Sequence, residues 1–320
     1  MPQHPTPVFI LGSGRSGTTV TATLLNRLPG VYIAKETGYI GLSVPLLRRI
    51  DDPDVLTQLV DTVNSWLSRE RWEHNASTDG FHSFCSRYGL SGPSAFIHYI
   101  WQLDASVPWH ELEFIGDNTP LYVMAIPAIQ ELLPNARFIQ MVRDPRDVVC
   151  SICKMRFGAD DHVAAAMEWH LYLGCWLTAE RVVAPERRME CRYEDLCTHP
   201  EQAFALLAAF LNRTAAQACA ALAEHAAAGS GSGFGSVSGL THHTRISEPL
   251  TPIRIGRYRT ELSVDQITAI EQILQYGMLA YGYQPSQWHT HPLMREDRMS
   301  LLKTAVRDTL RRISKRLTAR

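Results

Sequence analysis

The chain has 320 residues, 45% of them hydrophobic and 20% charged, which suits one large α/β domain, or two close-packed ones, with a sizeable buried core. Its 31 Lys and Arg balance 32 Asp and Glu, so no global field draws in nucleic acid or a membrane, and any anion site must arise from local placement. Seven scattered cysteines show neither zinc-like spacing nor the pattern of a secreted disulfide framework, which points to reduced thiols in a cytoplasmic protein with no metal site.

Residues 8–12 read as an apolar strand running into the loop Gly12-Ser13-Gly14-Arg15-Ser16-Gly17 and a helix over 19–28. A strand beginning by Val8 leaves no room for a signal peptide, and no run of about 18 apolar residues is present to cross a bilayer. A short strand over 31–34 ends at Lys35-Glu36. Residues 54–113 have helical periodicity, carry Trp66, Trp72, Trp101 and Trp109, and break at 77–80 and 91–93; they read as a helical insertion.

The α/β rhythm then returns: a helix over 122–133, a Pro134-Asn135 turn, a strand over 137–142 and a helix after Asp147. A strand over 189–193 precedes one long alanine-rich helix over 200–227, and the stretch 229–239, GSGSGFGSVSG, reads as a flexible linker or a lid. Ser263 and Gln266 fit a capping box for a helix reaching about Tyr281, so a domain over 1–285 is expected. In the remaining 286–320, Leu302, Val306, Leu310, Ile313 and Leu317 stripe one face beside Lys303, Arg307, Arg311, Arg312, Lys315 and Arg316. This basic amphipathic tail suits docking on its own domain, an oligomer contact or peripheral contact with a membrane.

Three ligands compete for the first loop. Gly12-x-Gly14-x-x-Gly17 matches the dinucleotide fingerprint, with Glu36 placed to bind a ribose as in an NAD-type Rossmann oxidoreductase. The same residues nearly form a P-loop, with Thr19 at the magnesium-binding hydroxyl, but Thr18 stands where the lysine belongs. The cation has instead moved inside the loop as Arg15, beside two hydroxyls at the helix start, which suits a compact phosphate or sulfate.

The second motif, FIQMVRDPRDVVCS over 138–151, delivers Arg143 at a strand end with Ser151 eight residues later. At this point the sequence resembles the sulfotransferases that use 3'-phosphoadenosine 5'-phosphosulfate (PAPS). Further matches run in that family's order: GDNTP at 116–120, CRYEDL at 191–196 and GRYRTELS at 256–263, so the resemblance spans about residues 8–284. It implies a central, mainly parallel sheet flanked by helices, with a P-loop-like phosphosulfate loop and an acceptor-binding insertion.

The resemblance also implies roles. Ser13, Gly14, Arg15, Ser16, Gly17, Thr18 and Thr19 would hold the 5'-phosphosulfate, with Arg15 stabilising charge on the leaving oxygen. Arg143 and Ser151 would bind the 3'-phosphate, Tyr193 would contact adenine, and Arg257, or alternatively Arg254 or Arg259, would close over the 3'-phosphate. Arg146 is either a site residue or structural. Glu36 is the candidate general base, similar to the glutamate of the Glu-Thr-Arg sequence in tyrosylprotein sulfotransferases. Two departures stand out: Gly38 replaces the arginine of that triplet, and Asn118 stands where many relatives have lysine.

The implied acceptor is a hydroxyl of a small molecule, natural product or lipid, with the insertion's tryptophans as an apolar wall or as core. His74, His82 and His110 are the alternative bases. Cys150 and Cys153 form a lone CxxC that reads as core or surface thiols rather than a redox pair. A non-catalytic phosphoadenosine-binding protein is the third class.

Overall fold

The structure, a computed structural model, describes residues 4–69, 72–155, 161–227 and 250–286. The loop expected at 229–239 and the tail beyond 286 lie outside the described residues. Five parallel strands are seen among the described residues: β1 (Thr6–Gly12), β2 (Val31–Ala34), β3 (Phe114–Asp117), β4 (Arg137–Val142) and β5 (Arg188–Arg192). They pair in the order β2-β3-β1-β4-β5.

The central strand shows why its sequence is apolar at every position. Val8 and Ile10 point into one buried cluster, and Phe9 and Leu11 into another on the opposite face of the sheet. A parallel strand covered on both faces needs a continuous apolar run, not an alternating one. Neighbouring β4 does the same, sending Phe138 to one cluster and Ile139 and Met141 to the other.

Helix α1 (Thr18–Leu25) follows the glycine loop, and α2 (Ile40–Leu47) follows β2. The insertion is α3 (Pro53–Arg69), α4 (Thr78–Tyr88) and α5 (Gly92–Asp104), helical as expected. Its tryptophans Trp66, Trp72, Trp101 and Trp109 are buried in one cluster with Phe9, Leu11 and Ile115 of the sheet. They are core, and the insertion shares its core with the strands.

After β3 the chain runs as a 3-10 helix over Pro120–Ala125 before α6 (Ile126–Leu132). The single helix expected over 122–133 is thus divided, with Pro127 in the first turn of the true α-helix, where its missing N–H costs nothing. Helices α7 (Pro145–Ile152) and α8 (His162–Ala179) then pack together under the C-terminal helix α13 (Val264–Ala280), whose Ser263–Gln266 capping box is present.

Two more boundaries are corrected. β5 ends at Arg192, and Tyr193 opens the short helix α9 (Tyr193–Thr198). The alanine-rich stretch is two helices, α10 (Pro200–Phe210) and α11 (Ala215–Ala227). Asn212 breaks it with a left-handed backbone at φ 56°, and Thr214 and Gln217 restart it: Thr214 N donates to Gln217 Oε1 at 2.8 Å and Gln217 N to Thr214 Oγ1 at 3.2 Å. The segment before α13 holds one more short helix, α12 (Tyr258–Glu261). No helix among the described residues is long and apolar enough to cross a membrane.

Because all five strands run the same way, their carboxyl ends line one edge of the sheet. That edge receives the glycine loop after β1, Glu36 after β2, Asn118 after β3, Arg143 after β4 and Tyr193 after β5. In open α/β sheets this is where ligands bind.

Candidate active site

The loop between β1 and α1 is built for close approach. Gly12 has φ 143°, and a Cβ there would lie 2.5 Å from the Met141 carbonyl oxygen of β4. Gly17 has φ 95°, and a Cβ there would lie 2.6 Å from the Tyr193 ring. Gly14 differs: a Cβ would meet nothing within 4 Å, so neither packing nor a left-handed backbone asks for glycine there. Its Cβ would enter the open cradle of the loop.

Helix α1 starts at that cradle with no side-chain cap and no acidic residue in its first turn. Its first N–H groups and positive dipole end are left for an anion. Ser13 and Ser16 tie the loop by a 2.7 Å hydroxyl contact, and both are buried. Arg15, at φ 70°, takes a left-handed backbone that non-glycine residues adopt at a cost. Its side chain reaches α7, where Nε donates to Ser151 Oγ at 3.1 Å.

Arg143 joins the same patch from β4. Its Nη1 donates to the Arg15 carbonyl at 3.0 Å and its Nη2 to the Arg254 carbonyl at 2.8 Å, while the guanidinium carbon stands 4.4 Å from the Tyr193 ring centroid. Tyr193, expected beside adenine, therefore has its ring against Gly17 and Arg143, and burial pushes its phenol up to about 12. The buried Arg143 Nε has no hydrogen-bond partner. Burial, and then the charges of Arg143 and Arg254, lower the pKa of Arg15, while Glu36 opposes them. Three guanidiniums crowded around an uncapped helix start form a site that an anion of more than one charge would relieve.

Arg254, named only as an alternative from the sequence, is thus the arginine of its segment that acts on Arg15. Arg257 is engaged elsewhere, with Nε donating to Glu261 Oε1 at 2.8 Å. The segment is held by buried Asp147, which accepts from Gly256 N at 2.7 Å and Tyr258 N at 3.0 Å. Arg146 is structural: it pairs with Asp144 and Glu271, each at 2.7 Å, and lies over the Tyr258 ring. Cys150 is a buried thiol whose pKa burial raises to about 12, and the Cys153 thiol is raised too, so the CxxC lacks the thiolate a redox pair needs.

On the other side of the loop, Glu36 lies close enough to Arg15 to favour its charge. Asn118 is 1% exposed, and its Oδ1 has no hydrogen-bond partner. His74, His82 and His110 are all exposed. Asp117 and Thr37, to which the sequence alone assigns no role, meet beside Glu36. GDNTP contained Asp117, but nothing local marks its partner.

Residues 7–217 match the family model described as the sulfotransferase family. The chain belongs to that family. The match includes the glycine loop, Glu36, GDNTP, Arg143, Ser151 and Tyr193. Among curated relatives, this sulfotransferase is 24% identical over 210 residues to protein-tyrosine sulfotransferase of Drosophila melanogaster, covering 64% of this chain and 38% of that one. It is 25% identical over 211 residues to protein-tyrosine sulfotransferase 1 of Danio rerio, covering 64% of this chain and 52% of the relative. In structure it is similar to the sulfotransferase domain of the Synechococcus PCC 7002 olefin synthase, with a TM-score of 0.54 and 20% identity over 84% of this chain and 94% of that one. That likeness shows a shared fold.

Proposed function

We propose that the enzyme transfers a sulfuryl group from PAPS to a hydroxyl of a small-molecule, natural-product or lipid acceptor. The observation that carries this reading is the cluster of Arg15, Arg143 and Arg254 at the uncapped start of α1. Bound there, PAPS supplies the sulfuryl group and a bisphosphate leaving group. The open cradle at Gly14 and the unpartnered Arg143 Nε fit such a polyanion.

On this reading the N–H groups after Gly12 bind the 5' end, and Arg15 faces the oxygen on which charge develops. Arg143, Ser151 and Arg254 take the 3'-phosphate, with Tyr193 as the platform that holds Arg143. Glu36 accepts the proton of the acceptor hydroxyl as the new bond to sulfur forms. Its proximity to Arg15 supports this role over a grip on a nicotinamide cofactor's ribose, because the carboxylate faces the loop's cation. The free thiols of all seven cysteines support a reducing, cytoplasmic setting.

The acceptor follows from position 38. Gly38 has φ 68°, and a Cβ there would lie 2.5 Å from Trp66 Nε1. An arginine cannot stand at this place, which the indole fills. This supports an uncharged alcohol or phenol over the acidic peptide that a cation would favour. The test is incubation with PAPS and either 2-naphthol or an acidic tyrosine peptide, following sulfate-ester formation. The reading expects ester with the phenol; ester with the peptide alone would overturn the acceptor assignment, and no ester with any hydroxyl compound would overturn the reaction.

A further inference from the structure

The segment that carries Glu36 is anchored by side chains. β2 ends at Ala34, and no strand pairing reaches further. Thr37, Gly38 and Ile40 beyond it bond instead to the last residue of β3 and the residues that follow it. Thr37 Oγ1 donates to Asp117 Oδ2 and lies 2.8 Å from the Tyr122 hydroxyl, Gly38 N donates to Thr119 Oγ1 at 3.1 Å, and Ile40 N donates to the Tyr122 hydroxyl at 3.1 Å.

Asp117 is the centre of this network. It is fully buried and also accepts from Thr119 N at 2.7 Å, Thr119 Oγ1 at 2.6 Å and Trp101 Nε1 at 3.4 Å. None of these donors is a cation. A buried carboxylate held by neutral donors alone costs stability, so packing does not explain its presence. What it does supply is geometry: one charged acceptor fixes both Thr37, next to Glu36, and Thr119, next to Asn118.

We propose that Asp117, acting through Thr37, is the positioning residue that aims Glu36 at the acceptor hydroxyl. The proposal rests on Glu36 being the general base. Asp117 itself touches no reacting atom. A base displaced by about 1 Å costs up to about a hundredfold in rate, which sets the scale of the effect.

The experiment measures turnover on an aliphatic alcohol and PAP affinity for Asp117→Asn, Thr37→Val and Thr37→Ser, each alone and combined with Glu36→Gln. Thr37→Val keeps the shape and removes the hydroxyl, so it reads the same link without touching the buried charge. In otherwise native enzyme, Asp117→Asn and Thr37→Val are expected to lower kcat by about tenfold to a hundredfold, with PAP affinity held within about twofold and Thr37→Ser close to native. In the Glu36→Gln enzyme the same changes should cost less than about twofold, because nothing remains to be aimed. Equal losses in both backgrounds, or a parallel fall in PAP affinity, would show that Asp117 merely supports the fold, and would overturn its role while leaving Glu36 as base. Full turnover in Glu36→Gln alone would remove the base itself, and the positioning role with it.

Discussion

Arg15 Nε donates to Ser151 Oγ at 3.1 Å, so the loop after β1 and the helix after β4 share one hydrogen bond across 136 residues of sequence. Arg143 closes the same circuit by donating to the Arg15 carbonyl. The groups assigned to the two ends of the donor therefore form one connected patch, and Ser151, which accepts from Arg15, keeps its own O–H to donate to an anion.

Ser151→Ala tests that O–H. A hydrogen bond to a charged group is worth about 1.5 to 3 kcal/mol, and the bond from Arg15 to Ser151 need not break for it to form. PAP affinity should fall about tenfold to a hundredfold, while adenosine 5'-phosphosulfate, which lacks the 3'-phosphate, binds as before. Titration calorimetry with both nucleotides measures the difference; equal losses would place Ser151 outside the 3'-phosphate site.

Two glycines of the loop should respond in different ways. Gly14→Ala puts a methyl group into open space on an ordinary backbone, so the melting temperature should hold while PAP affinity falls. Gly17→Ala meets the Tyr193 ring at 2.6 Å on a left-handed backbone, so stability itself should fall by about 1 kcal/mol or more. Thermal unfolding of both variants, with and without PAP, separates the two effects. A Gly14→Ala protein that binds PAP normally would contradict the cradle.

Asp117 should leave a mark on stability against pH. Burial raises its pKa from 3.8 to about 6. The folded state therefore holds this proton more tightly than the unfolded chain does. The resulting stability is present below about pH 4 and is lost as pH rises through about 6, amounting to about 3 kcal/mol. Urea unfolding of the native protein and Asp117→Asn between pH 4 and 7 should show the native protein losing stability relative to the variant by that order. A difference independent of pH would contradict the buried acid.

Glu36→Gln keeps the size of the side chain and removes the proton acceptor. Turnover on an aliphatic alcohol should fall by about 10² to 10⁴, with PAP affinity unchanged or slightly higher because Arg15 loses its carboxylate neighbour. The loss should shrink for nitrophenols, which need less help in giving up a proton. Initial rates across acceptors of graded pKa measure this, and a uniform loss would argue against a base.

How much of this was legible in the sequence depended on whether the signal was local. β1 and β4 stood out because strands buried on both faces are apolar throughout, and the Ser263–Gln266 box because a cap is a four-residue pattern. β3 is only four residues, Phe-Ile-Gly-Asp, and becomes a strand through its pairing with β1 and β2. Asp117 lay inside a motif already singled out, but its partners Trp101 and Thr37 are 16 and 80 residues away. Arg254 could not be chosen over Arg257 from sequence, because the choice is made by Asp147 gripping Gly256 and Tyr258, and by Glu261 engaging Arg257.

The central claim is that the arginine cluster at the start of α1 binds a 3'-phosphorylated adenosine donor, and thermal unfolding with PAP, NAD, NADP and Mg-ATP tests it most directly. A ligand at 100 times its dissociation constant adds about 2.7 kcal/mol to the stability of the state it binds. The account predicts a clear rise in melting temperature with PAP and little change with the other three. A rise with NAD and none with PAP would contradict it.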